Sequence, residues 1–576
     1  MTPGEAEGLR SQDWFGANAK NGFIARHHLR AAGFGPSYFS GHPVVGICNT
    51  WSELNPCNGH LRHLAEAVKR GVVRAGGFPL EFPVFSPGEP YCRPSSMLYR
   101  NLMAIDVEES VRANPLDAVV LLTGCDKTTP AGLMGVASTD LPAVVLTGGP
   151  MLNGSYRGRA AGSGTDVWRM LDAFRSGQID AAELDELEGG LNRSAGHCMT
   201  MGTASTMACI AEALGMQLPG AGCLLAVDAR RVVLAEETGA LAVGLARRGP
   251  KPSEVMTRAA FENAIVVNAA IGGSTNAIIH LLAIARRVGV ELSLNDFDEV
   301  GRRVPLLVDL MPSGQFLMED LAEAGGVPAV VKELGAWLRP DTMTVTGASL
   351  LDNCRAARND RPEVIRPVDN PVQPAGNGTA VLFGTLAPRG AVIKVSAASP
   401  GLVAHRGPAL VFDRIEDYLA VVDDSSLAVT PETVIIVRNC GPRGYPGMPE
   451  VGNLPLPRVM LERGVIDMVR ISDARMSGTA YGTCVLHTAP EAAIGGPLGL
   501  VESGDMITLD VARRRLDLEV DDSELAQRSK VWVPPSPVDQ RGWTHLYVQS
   551  VLQADEGADL DFLVGSSGHA TPRAAF

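Results

Sequence analysis

The sequence has no run of lysines and arginines longer than the three arginines at 513–515, although it holds 50 of them against 64 aspartates and glutamates. A formal charge of −14 without a concentrated basic face excludes a nucleic-acid partner, because phosphate binding needs clustered cations. No window approaches ~18 uninterrupted apolar residues, so no membrane span is predicted. Residues 1–10 lack an apolar signal core. Ten cysteines are present but none forms a CxxC pair, which does not read as a disulfide framework in a chain of 576 residues. These absences together point to a reducing, cytoplasmic compartment. At 45% hydrophobic and 20% charged residues, the composition is that of a globular protein long enough for two or more domains.

What the chain does hold is alternation. Apolar, β-branched runs at 43–48, 80–85, 117–122 and 141–147 read as strands, and 60–73 reads as a helix with Leu61, Leu64, Ala65, Val68 and Val72 on one side. Strands alternating with helices imply a parallel sheet, whose carboxyl edge is where ligands bind. A helical insertion is expected over 166–187 and a helix over 207–214. Two further helices at 253–289 break at Gly272-Gly-Ser-Thr-Asn276, which reads either as an anion-holding turn or as a plain helix–helix turn. Residues 1–42 read as an arm laid over the domain or over a neighbouring subunit. The Pro-, Asn- and Arg-rich stretch 355–378 marks a boundary, giving an α/β domain over 43–370 and a second domain over 371–576. In the second, short strands at 379–383, 391–395, 409–412 and 433–437 accompany glycine-rich turns at 441–450 and 472–482.

Chemistry concentrates in the turns. Cys57, Cys125 and Cys198 each precede a helix, where the amino-terminal dipole and free N–H groups favour a thiolate. Three thiolates are one fewer than fully ligate an iron–sulfur cluster, which would leave one iron open as a Lewis acid. Glu89, Asp126 and Glu450 are turn carboxylates of the kind Mg²⁺ prefers. Lys127 cannot bind a cation as an ammonium, but carbamylation by CO₂ would make it a long carboxylate. Read alone, the 123–130 stretch also fits a buried cysteine beside a surface ion pair.

Five motifs stand in order: Pro56-Cys57-Asn58, Gly124-Cys-Asp-Lys-Thr-Thr-Pro130, Gly272-Gly-Ser-Thr-Asn276, Tyr445-Pro-Gly-Met-Pro-Glu450 and Ser472-Asp-Ala-Arg-Met-Ser-Gly478. They resemble the dihydroxy-acid and phosphogluconate dehydratase family over nearly the whole chain. Gly202-Thr-Ala-Ser-Thr206 and Gly478-Thr-Ala-Tyr481 are similar to its sugar-acid branch, while Met199 stands where related sugar-acid enzymes carry Asn. The resemblance implies a 2Fe-2S cluster on Cys57, Cys125 and Cys198, and Mg²⁺ among Glu89, Asp126, carbamylated Lys127 and Glu450. It also implies Ser477 as the catalytic base, with Thr479 close to the substrate. The implied fold is an N-terminal parallel-sheet α/β domain plus a C-terminal swivelling β-barrel-like α/β domain, assembled as a homodimer or homotetramer. The implied reaction removes water from an aldonic acid, a pentonate such as L-arabinonate, to give a 2-keto-3-deoxy acid. The alternative is the branched-chain dihydroxy-acid reaction.

Overall fold

Strands β1 (Val44–Asn49), β3 (Ala118–Thr123) and β4 (Ala143–Thr147) are buried at every residue, as their unbroken apolar runs require of strands covered on both faces. The computed structural model describes residues 8–16, 20–39, 41–536 and 539–572. With β2 (Phe78–Pro83), these strands form a parallel sheet in the order β2-β1-β3-β4. β2 begins two residues before the expected 80, because the Phe78 N–H donates to the Pro43 carbonyl at 2.7 Å. Pro79 and Pro83 are tolerated there because β2 is an edge strand with one paired side. Helices Leu61–Arg74, Arg100–Ala113, Thr128–Thr139 and Ala229–Arg248 cover the sheet with Leu, Val, Ala and Gly.

Three strands of this sheet end in segments that carry candidate residues, and the fourth ends beside one. β1 leads to the 3-10 turn Pro56–Asn58 with Cys57, β2 to the loop with Glu89, and β3 to Cys125, Asp126 and Lys127. β4 leads to Pro150, which bridges to His197 beside Cys198. The expected insertion is two helices, Thr165–Arg175 and Ala181–Leu191, preceded by a hairpin of β5 (Gly154–Tyr156) and β6 (Arg159–Ala161) that the sequence pattern does not announce. The described part of the N-terminal arm lies on its own chain. Ser11 donates from its N–H and its hydroxyl to Asp117, at 2.8 and 2.7 Å, and Phe15 and Phe39 join the sheet core.

The second sheet has eight strands in the order β14-β13-β9-β10-β11-β12-β8-β7. They are β7 (Thr379–Leu382), β8 (Gly390–Lys394), β9 (Ala404–Phe412), β10 (Val434–Val437), β11 (Arg470–Ser472), β12 (Cys484–Ala489), β13 (Met506–Asp510) and β14 (Arg515–Leu518). β9 to β12 run parallel and the others antiparallel. A bridge from Phe383 to Arg515 brings the two edge strands together, so the sheet is a nearly closed barrel. Ala391 and Ile393 point into the barrel core, whereas Val392 between them packs in the core of the first sheet. The parallel strands β10 and β11 end in the loops that carry Glu450 and Ser477. The parallel sheet and the parallel strands of the mixed sheet therefore turn their carboxyl ends toward one seam.

Candidate active site

Two of the turn cysteines, Cys57 and Cys125, are in contact, and Cys198 lies near enough to act on both through its charge. The hydrogen bond between the Cys57 and Cys125 thiols, and then burial, push Cys57 well up, with Cys198 and Asp126 adding to the effect. Burial pushes Cys198 up to about 11, with Asp126 and Cys125 contributing. Asn58 donates to the Thr50 carbonyl at 3.1 Å and to Ser86 Oγ at 3.2 Å, and Asn55 donates to Ser86 Oγ at 3.0 Å. The Cys57 turn is thus stapled to the Glu89 loop. A Cβ on Gly124 would lie 2.6 Å from Asn58 Oδ1, so glycine is what lets the Cys125 turn close against the Cys57 turn. Thr128 Oγ1 accepts from the Gly124 and Cys125 amides at 3.1 and 3.0 Å and fixes that turn.

Beside the thiols stands an acidic cluster: Glu89, Asp126 and Glu450 offer oxygens that all lie within 4.8 Å of one another. The fully buried Lys127 Nζ is 2.8 Å from Glu89, 3.6 Å from Asp126 and 3.8 Å from Glu450. Arg475, also fully buried, reaches Glu450 at 2.8 Å and Glu89 at 3.9 Å. Burial works against Glu89, but Lys127 and Arg475 hold it down at about 2. Burial and the Glu89 charge push Glu450 up to about 8. Fully ionised, the three carboxylates would carry one negative charge more than the ammonium and guanidinium that face them, which is the charge the raised Glu450 avoids by holding a proton; hard oxygen donors so crowded suit a divalent ion.

Two residues of this cluster are not singled out by the sequence pattern. Arg475 donates to the Met448 carbonyl at 2.7 Å and to Ser95 Oγ at 3.2 Å. Asn276, at the start of helix Asn276–Arg287, donates to Glu450 Oε1 at 2.7 Å, to Thr203 Oγ1 at 3.0 Å and to the Met476 carbonyl at 3.2 Å. The Gly272–Asn276 turn is therefore the clasp between the two domains rather than a plain helix–helix turn. Both residues lie inside motifs of the sequence, but their partners are 25 or more residues away along the chain. Cys92 is a fourth thiol nearby; burial pushes it up, and Glu89 and Cys125 add to this.

The Ser477 turn lies against the clasp. Ser477 Oγ and Thr479 Oγ1 are 2.9 Å apart, and the insertion holds Thr479 from the far side, with Thr165 Oγ1 donating to its carbonyl at 2.8 Å and Trp168 Nε1 to its hydroxyl at 3.2 Å. A Cβ on Gly478 would lie 2.7 Å from the Thr203 amide nitrogen and 2.8 Å from Ser274 Oγ. His487 is buried with neither ring nitrogen hydrogen-bonded among the described residues, and burial beside Arg475 pushes it down to about 3. Met199 packs with Met151 and Leu317, and its sulfur accepts from the Ser163 amide at 3.0 Å. A cavity of about 880 Å³ lined by Arg414, Arg438, Tyr445 and Trp532, among others, contains none of the clustered acids or thiols.

Comparison with known proteins agrees with this architecture. Residues 42–353 match the N-terminal model, and residues 363–558 the C-terminal model, of the dihydroxy-acid/6-phosphogluconate dehydratases. The chain is 57% identical over 573 residues to the L-arabonate dehydratase of Azospirillum brasilense, covering 98% of each. It is 54% identical to the L-arabinonate dehydratase of Rhizobium leguminosarum bv. trifolii, covering 98% of this chain and 97% of the relative. It is 42% identical to the dihydroxy-acid dehydratase of Ignicoccus hospitalis, covering 90% of this chain and 94% of the relative. The chain belongs to the dihydroxy-acid/6-phosphogluconate dehydratase family.

The close approach at Gly478 generates a test. Gly478→Ala must push the Ser477 turn off Thr203 and Ser274, and misplacement by about 1 Å costs up to ~10²-fold in rate. Dehydratase kcat is expected to fall by about that factor with an unchanged circular-dichroism spectrum; a kcat equal to that of the parent would contradict the packing.

Proposed function

We propose that this chain is a hydro-lyase that removes water from a sugar acid, a pentonate such as L-arabinonate, to give its 2-keto-3-deoxy acid. The observation that carries the reading is the convergence of three thiols, three carboxylates and the Ser477 turn on one seam. The identities of 57% and 54% with relatives named for L-arabonate and L-arabinonate support the pentonate over a branched-chain substrate.

Cys57, Cys125 and Cys198 would hold a 2Fe-2S cluster, and Glu89, Asp126, carbamylated Lys127 and Glu450 would hold Mg²⁺. When bound, these groups would supply a Lewis-acid iron for the departing C3 hydroxyl and a cation for the charge that builds beside the substrate carboxylate. Converting the Lys127 ammonium to a carbamate changes its charge by two, which one divalent ion offsets. The buried cluster then keeps the net charge that Arg475 and Asn276 already accommodate. Ser477, as an alkoxide, would take the C2 proton; the C3 hydroxyl leaves and the resulting enol tautomerises to the keto acid. Thr479, 2.9 Å from Ser477 Oγ, can donate to that alkoxide and orient it. The same reading includes a homodimer or homotetramer in the reducing cytoplasm and a division between cluster-binding and barrel-like domains at residue 370.

Three measurements test it. Anaerobically reconstituted protein incubated with aldonic acids and a branched dihydroxy acid should form 2-keto acid fastest from a pentonate; preference for the branched acid would overturn the substrate class. Cys57→Ser, Cys125→Ser and Cys198→Ser should each lose iron and visible absorption, whereas Cys484→Ser should keep both. Full iron content in any of the first three would remove that ligand from the assignment. Ser477→Ala should retain iron, Mg²⁺ and KM yet lose ~10²–10⁴-fold in kcat, the usual worth of a positioned acid or base. Turnover within a few-fold of the parent would place the base elsewhere, and neutral His487 would be the next residue to vary.

A further inference from the structure

Away from the seam, two cysteines that the dehydration does not use face each other. Cys209, in the interior of helix Thr203–Ala213, and Cys223, in the loop that follows, have their sulfurs 3.7 Å apart in a core otherwise filled by apolar side chains. The loop is bound tightly to the helix. Glu212 accepts from the Gly220 and Gly222 amides at 2.7 and 2.8 Å, and Gln217 donates to the Ala208 carbonyl at 2.7 Å. The two thiols differ in surroundings. The hydrogen bond with Cys223, and then burial, push Cys209 well up and keep it protonated. Cys223 instead lines a cavity of about 430 Å³ that opens among Pro219, Arg230, Leu234 and Gly326. Close to Cys223 the buried Arg231 spends Nη1 on the Thr147 and Ala221 carbonyls at 2.6 and 3.1 Å, while its Nη2 has no hydrogen-bond partner among the described residues.

We propose that Cys209 and Cys223 form a reversible oxidative modification site, with Cys223 the thiol that a small hydroperoxide reaches through this cavity. The Cys223 sulfur attacks one oxygen of the peroxide, the O–O bond breaks, and the departing hydroxide takes up the proton that the Cys223 thiol gives up and leaves as water, making Cys223 a sulfenic acid. The Cys209 sulfur then displaces the hydroxyl from Cys223, giving its own proton to the second water. Both thiols are oxidised to one disulfide and the peroxide is reduced to two waters. Closing the bond ties the loop to a helix whose first residue, Thr203, bonds Ser274 and Asn276, so the modification reaches the domain clasp through one rigid element.

The test uses the full-length, cluster-loaded protein. It is treated with about one equivalent of hydrogen peroxide, alkylated, and digested without reductant for peptide mass spectrometry. The expected result is a cross-link between the Cys209 and Cys223 peptides that a thiol reductant reverses. Cys223→Ser should leave Cys209 fully alkylatable, and Cys209→Ser should leave a Cys223 sulfenic acid that dimedone traps. Cys209 and Cys223 both staying alkylatable while other cysteines oxidise would overturn the proposal. So would a link from Cys223 to Cys354, which shares the same core.

Discussion

The Glu450 carboxylate is the point on which the two domains depend. It belongs to the barrel-like domain, yet one of its oxygens is held at 2.7 Å by Asn276 of the first domain and at 2.8 Å by Arg475 of its own. Lys127 approaches that oxygen at 3.8 Å from the first domain. Burying so many charges costs several kcal/mol per ion unless each is paired, and losing any one partner leaves another stranded. The arrangement is thus stable only when both domains are docked. The seam that carries the chemistry is also the seam that must be correctly closed for the charges to balance.

Sheet topology explains why such different side chains meet there. In the first domain the parallel strands β2, β1, β3 and β4 deliver Glu89, Cys57, the Cys125–Lys127 turn and the neighbourhood of Cys198, all at their carboxyl ends. In the second, adjacent parallel strands β10 and β11 deliver Glu450 and Ser477 in the same way. Loops at that edge vary freely while the strands beneath them stay rigid, and helix amino-termini point their N–H groups back at the loops.

Much of this is legible in the amino-acid pattern. β1, β3 and β4 are apolar runs closed by a single polar residue, Asn49, Thr123 or Thr147, and their ends fall within two residues of the expected positions because the apolar run itself marks the buried span. The cysteine and acid turns are legible for the same reason, each being the polar remainder between a strand and a helix. β11, at three residues, is too short to show a period, and β13 and β14 alternate strictly but over only five and four residues, too few to stand out from loop sequence. The roles of Asn276 and Arg475 are hidden because their meaning lies in partners across the seam. Likewise nothing in the composition of the insertion announces that Thr165 and Trp168 brace Thr479 more than 300 residues later. Local pattern decides which residues occupy the turns; only docking decides which turns share a site.

The most direct measurement of that docking is anomalous scattering from anaerobically grown crystals containing Mn²⁺ in place of Mg²⁺. A single manganese peak roughly 2–2.5 Å from carboxylate oxygens of Glu89, Asp126 and Glu450 is predicted, within the oxygen-ligand range of hard cations. A manganese ion bound to Glu89 and Asp126 with Glu450 turned away, or no peak at the cluster, would contradict the claim that the two domains build one cation site between them.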